Sequence, residues 1–103
     1  MPQGSIVEIV SAIQGETTSP QQVLAKSYQR FQKTHGWLNA LVQPQYANAQ
    51  KACVKVDRGG PLAGVPASIK ECFSVEGLQT TLGIPSRRGQ VDVEDASIVQ
   101  RLK

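Results

Sequence analysis

Pro61-Leu62-Ala63-Gly64-Val65-Pro66-Ala67-Ser68-Ile69-Lys70 is where the texture of this 103-residue chain changes. Before this stretch, apolar residues recur at helical spacing; within it they alternate. Ala63, Val65, Ala67 and Ile69 fall on one side of an extended chain, and Gly64, Pro66, Ser68 and Lys70 on the other. Pro66 has no N–H to give to a ladder. The pattern therefore predicts a short strand entering after Pro66 and running through Lys70. Glu76-Gly77 reads as a turn, Thr80 to Leu82 as a brief extended piece, and Gly83 to Gln90 as a loop. Residues 61–83 are thus expected to be a strand-and-turn region.

Working back toward the N-terminus, the spacing predicts three helices. Ile6, Ile9, Val10 and Ile13 make one apolar face over residues 5–14, ended by Gly15. Ser19, Pro20 and Gln22 form the start signal of a second helix over 19–35. Val23, Leu24, Ser27, Tyr28 and Phe31 share its face, and His35-Gly36 is its expected stop. Trp37 to Val42 reads as a strand or extended link. Pro44 opens a third helix over 45–58, with Tyr46, Ala49, Ala52, Cys53 and Val56 as its buried stripe. Toward the C-terminus, Asp95 is the expected N-cap of a last helix over 95–103, with Ile98, Val99 and Leu102 on its apolar face. That helix breaks off at Lys103, so the expectation is a cut within an element. The fold class expected is α/β, with helices packed on a small mixed sheet in a single domain.

Composition narrows the function. Two fifths of the residues are apolar and 18% are charged, a globular balance rather than a disordered one. Eleven basic residues against eight acidic ones give a net charge of +3, too sparse for a nucleic-acid stripe. Lys51, Lys55 and Arg58 read as a solvated helix face, and Arg87-Arg88 as part of a loop. No apolar run approaches the ~20 residues of a membrane span, and Met1 to Ser5 carries no signal-peptide pattern. Cys53 and Cys72 show no Cys-x-x-Cys spacing, so they are expected to be reduced thiols in a cytoplasmic protein without metal or cofactor. His35, the one histidine, reads as a charge at a helix C-terminus.

The opening stretch also resembles the motif around the catalytic lysine of amidase-signature enzymes, Gly-(Val/Ile)-Pro-x-x-(Ile/Val)-Lys. The resemblance extends through Gly77-Leu78-Gln79-Thr80-Thr81 and Glu94-Asp95-Ala96-Ser97-Ile98-Val99-Gln100-Arg101-Leu102. Lys70-Glu71-Cys72-Phe73, where most members have Lys-Asp, together with Thr81-Leu82-Gly83, is similar to the fatty-acid amide hydrolase branch. The resemblance implies the N-terminal segment of an amidase-signature domain and a role in cleaving amide C–N bonds of a small-molecule substrate. In that family a Ser-Ser-Lys triad does the work: one serine attacks, a second relays its proton, and the lysine accepts it. Lys70 is the matching catalytic residue.

A free lysine titrates near ~10.4, so a lysine base at neutral pH needs burial or nearby dipoles to give up its proton. Taken alone, a lysine at a strand end is ordinarily a solvated charge. No Gly-Gly-Ser-Ser-Gly occurs in the chain, and Ser68 and Ser74 match no catalytic position of the family. The chain by itself is therefore expected to be inactive. Two other readings stand beside this one. The chain is an interaction module that self-associates through uncovered sheet or helix faces, or it is half of a split amidase completed by another chain. Cys72, two residues from Lys70 on the expected strand, is a rival nucleophile.

Overall fold

The computed structural model describes residues 4–103. Met1, Pro2 and Gln3, which carry part of the reading of the N-terminus, lie outside them. Among the described residues four α-helices form: α1 (Ile6–Gln14), α2 (Pro20–Leu38), α3 (Tyr46–Cys53) and α4 (Ser97–Leu102). A single 3-10 turn covers Pro85–Arg87. The chain divides into two compact units, one up to Ala67 and the other Ser68–Lys103.

Local chemistry sets the helix starts. Ser5 Oγ accepts from the Glu8 N–H at 3.2 Å, while the Ser5 N–H donates to Glu8 Oε2 at 2.7 Å. The same reciprocal pair opens α2, where Ser19 Oγ accepts from the Gln22 N–H and the Ser19 N–H donates to Gln22 Oε1. Each box satisfies two backbone donors that a helix N-terminus otherwise leaves free. The other end of α2 departs from the sequence reading. The helix runs through Gly36 and stops at Asn39, which adopts a left-handed conformation (φ +49°) and donates its N–H to the His35 carbonyl at 2.9 Å. Asparagine tolerates that region better than most residues, and it overrules the glycine as the stop. Trp37 and Leu38, read as the start of an extended link, are thereby the last turn of α2, and Trp37 is 75% exposed.

The first unit is held by a small apolar core. Ile13 and Pro20 are fully buried, joined by Val10, Val23 and Ala63. Gly64 (φ +75°) lies directly against this core: a Cβ there would come within 2.7 Å of Ile13 Cδ1 and 3.0 Å of Pro20 Cγ. On its other side α2 packs on α3, where the rings of Tyr28 and Tyr46 stack with centroids 4.0 Å apart. Phe31 extends this aromatic cluster toward His35.

The expected mixed sheet is absent. Among the described residues no strand forms, and the only β pairing is an isolated antiparallel bridge between Gln79 and Val91. The physical reason is where the backbone N–H groups go. Ala63 donates to the Gly60 carbonyl and Val65 to the Leu62 carbonyl, so residues 60–65 coil into successive turns. Pro66 has no N–H to offer, and Phe73 donates back to the Lys70 carbonyl. The fold class α/β with helices on a small mixed sheet therefore gives way to helices followed by a loop-rich unit. The uncovered sheet edge through which the chain was expected to self-associate disappears with it.

Candidate active site

Lys70 lies at the start of the second unit, immediately before the turn closed by the 3.0 Å bond from the Phe73 N–H to the Lys70 carbonyl. Its side chain is exposed, and among the described residues no hydrogen bond or ion pair reaches its Nζ. The next residue is the anchor. The Glu71 carboxylate accepts hydrogen bonds from the Thr81 N–H, from the Thr81 hydroxyl at 2.8 Å and from the Leu82 N–H at 2.9 Å. These bonds, the Thr81 N–H first and its hydroxyl second, hold the Glu71 carboxyl below its ordinary pKa against a smaller opposing desolvation effect, with the Leu82 N–H adding to them. Directly after these donors Leu82 (φ +53°) and Gly83 (φ +74°) turn through the left-handed region, which is uncommon for leucine.

Two more carboxylates brace the same unit. Asp92 accepts from the Thr80 hydroxyl, so each member of the Thr80-Thr81 pair meets an acidic side chain. Asp95, expected to cap α4, does not. Ala96 is the N-cap residue, and Asp95 instead accepts from the Glu76 N–H at 2.8 Å and from Lys103 Nζ at 2.7 Å. The Lys103 hydrogen bond, then that of Glu76, lowers the Asp95 pKa. Backbone bonds from Gly77 to Asp92, Asp92 to Leu78 and Ala96 to Ser74 complete the network. Side-chain oxygens thus take several N–H groups that a sheet would otherwise have used.

The sequence reading marked Lys70 but treated Glu71 only as a branch feature, and so missed its role. The one available signal was a carboxylate ten residues before a Thr-Leu-Gly turn. Ser68 is exposed and Ser74 engages through its carbonyl; neither hydroxyl is bonded to Lys70. The rival at Cys72 rested on strand spacing, and residues 70–73 form a turn instead. Cys53 is half-buried, with its thiol pKa raised by burial. No group of three or more His, Cys, Asp or Glu side chains among the described residues is placed to hold a metal ion. None of their helices is long and apolar enough to cross a membrane.

A family profile described as Amidase matches residues 22–103, which takes in Lys70, Glu71 and the whole carboxylate network. The chain belongs to the amidase family. Its amidase relatives include a glutamyl-tRNA(Gln) amidotransferase subunit of Streptomyces coelicolor, 36% identical over 95 residues, covering 86% of this chain and 19% of that protein. An acylamidase of Rhodococcus erythropolis is 27% identical over 106 residues, covering 96% of this chain and 21% of its own length. Fatty-acid amide hydrolase 2-A of Danio rerio is 27% identical over 113 residues, with the same two coverages. A solved structure, from work on an unexpected vestigial protein complex and the origins of an s-triazine catabolic enzyme, superposes with a TM-score of 0.87. It is 31% identical and covers 96% of this chain and 23% of that one. This amidase chain thus spans about a fifth of the length of its curated relatives.

Proposed function

We propose that Lys70 is the general base of a Ser-Ser-Lys amide hydrolysis, and that these 103 residues supply that base and its scaffold but not the nucleophile. In this reading the chain is the N-terminal segment of an amidase-signature hydrolase acting on a small-molecule amide. The attacking serine and the relay serine come from other residues, and the 103-residue chain alone does not turn substrate over. A cytoplasmic location fits the free thiols of Cys53 and Cys72.

The observation that carries the reading is the Glu71 clamp. It ties the backbone beside Lys70 to the Thr81–Gly83 turn, inside the region that matches the family. A base works only if its amine is held in a fixed relation to the groups it serves. Fixing the neighbouring backbone is the part of that task these residues can do. Turnover of a chromogenic anilide tests the proposal. The chain alone is expected to give none, and mixing with a chain that carries both serines is expected to restore it. Restored turnover that survives Lys70→Ala removes Lys70 from the role, and turnover by the unmixed chain that Lys70→Ala abolishes refutes the missing nucleophile.

One observation favours a second reading, a non-catalytic interaction module that also self-associates. Val7, Trp37, Val42, Val54 and Val93 all present apolar side chains more than two thirds exposed. Light scattering separates this reading from a monomeric half-enzyme, because only the module is expected to grow in mass with concentration.

A further inference from the structure

A groove of about 880 Å³ opens between α1 and α2 in the first unit. Its floor is aliphatic, made by Ile9 and Ala12 of α1 and Val23 of α2. Its rim is cationic. Lys26, Arg30 and Lys33 follow one another along α2 at helical spacing, all exposed. The one acidic lining residue, Glu8, is turned to its own helix start, where it holds the Ser5 N–H. Among the described residues neither Lys26 nor Lys33 is paired with a carboxylate. An aliphatic floor beside the unpaired Lys26 and Lys33 is a surface with a specific complement.

We propose that the groove between α1 and α2 is a docking site for an acidic amphipathic helix of a partner protein. Shape and charge select that occupant. Such a volume lies within the range of small-ligand pockets, about 300–1,000 Å³. Those pockets enclose their ligand on most sides, however, whereas this groove has two helical walls and accepts a segment laid along it. From Lys26 to Lys33 the chain takes seven residue steps along α2, about 10 Å of its axis at ~1.5 Å per step. Carboxylates on successive turns of a facing helix match that spacing, and its apolar stripe covers Ile9, Ala12 and Val23. A single nucleic-acid strand is a poorer fit, because among the described residues no aromatic side chain lines the groove for bases to stack on. A membrane surface is too flat to reach the floor and the rim together. The inference goes beyond the role of Lys70 and does not depend on it.

The test uses the full chain, isotope-labelled, and a synthetic amphipathic helix of about 15 residues with leucines on one stripe and glutamates beside it. Amide shift changes are expected at Ile9, Ala12, Val23, Lys26, Arg30 and Lys33, with binding that weakens roughly tenfold or more between about 50 and 300 mM salt. Lys26→Glu with Lys33→Glu is expected to abolish binding while circular dichroism stays unchanged. Lys51→Glu with Lys55→Glu, on α3 and just beyond it, is expected to leave binding as it was. If the reversed pair alters the dichroism, Lys26→Gln with Lys33→Gln replaces it. Equal binding by a peptide with lysines in place of the glutamates overturns the proposal. So do shift changes confined to other residues, equal loss from both variant pairs, or binding only to phosphatidylserine vesicles or oligonucleotides.

Discussion

A carboxylate that accepts three hydrogen bonds, two of them from backbone N–H groups, resists protonation, and Glu71 is such a group. Its folded pKa is depressed below the ordinary glutamate value near ~4.3. The stability it contributes is therefore present above the unfolded pKa and lost as pH falls through the lower, folded one. The Thr81 and Leu82 amide signals are expected to titrate together in acid, with a midpoint below that of a free glutamate. Glu71→Gln is expected to remove that titration and speed hydrogen exchange at both amides; an unchanged titration in this variant would assign it to another group. Gly64 makes an opposite kind of claim. It lies in the motif that precedes Lys70, and what the structure shows there is packing: positive φ and a core with no room for a Cβ. Gly64→Ala is expected to cost about 1–3 kcal/mol in urea denaturation, from backbone strain and overpacking together. A loss within error would mean the core yields at Ile13.

At the scale of elements, what was legible depended on whether the signal was local. Caps and helical periodicity are written in neighbouring residues, so Ser19 opens α2 through a contact with Gln22 that spans three residues, as the start signal predicted, and Ser5, which was not singled out in the sequence, opens α1 the same way. A strand is not local, because it exists only when another segment pairs with it. Alternation at Ala63, Val65, Ala67 and Ile69 met the side-chain condition of a strand, but nothing among the described residues met the pairing condition. Lys70 was marked by its motif alone. The carboxylate contacts of its unit were not legible, since Glu71 meets Thr81, and Asp95 meets Glu76, across loops whose closure no periodicity reports. Asp95 shows the same limit: a good capping residue is drawn away from its helix by a competing N–H. Gly36 gives the test that belongs to this scale. It sits inside α2, and nothing lies within 4 Å of where its Cβ would be. Gly36→Ala is expected to stabilise the chain by about 0.5–1 kcal/mol, read from the shift in thermal midpoint. Destabilisation would mean that the helix does not continue through this residue in solution.

At the scale of the whole molecule, the two units are held by different forces, and acid is expected to separate their behaviour. The unit up to Ala67 rests on apolar burial around Ile13 and Pro20, which does not titrate. The unit Ser68–Lys103 also buries Val99, but its loops are tied by Glu71 and Asp95, both with lowered pKa values. As pH falls through those values, residues 68–103 are expected to lose hydrogen-exchange protection before residues 6–38 do. Simultaneous loss would show that the carboxylates do not govern the second unit. The single tryptophan, Trp37, carries a consequence of another kind. Set in the last turn of α2 and three quarters exposed, it already stands in water when the chain is folded. Its emission therefore begins near the red limit of free indole and has little further to move on denaturation, so fluorescence is nearly blind to unfolding here. The same position makes it a sensitive reporter of contact, since any macromolecule that covers the end of α2 shifts that emission to the blue.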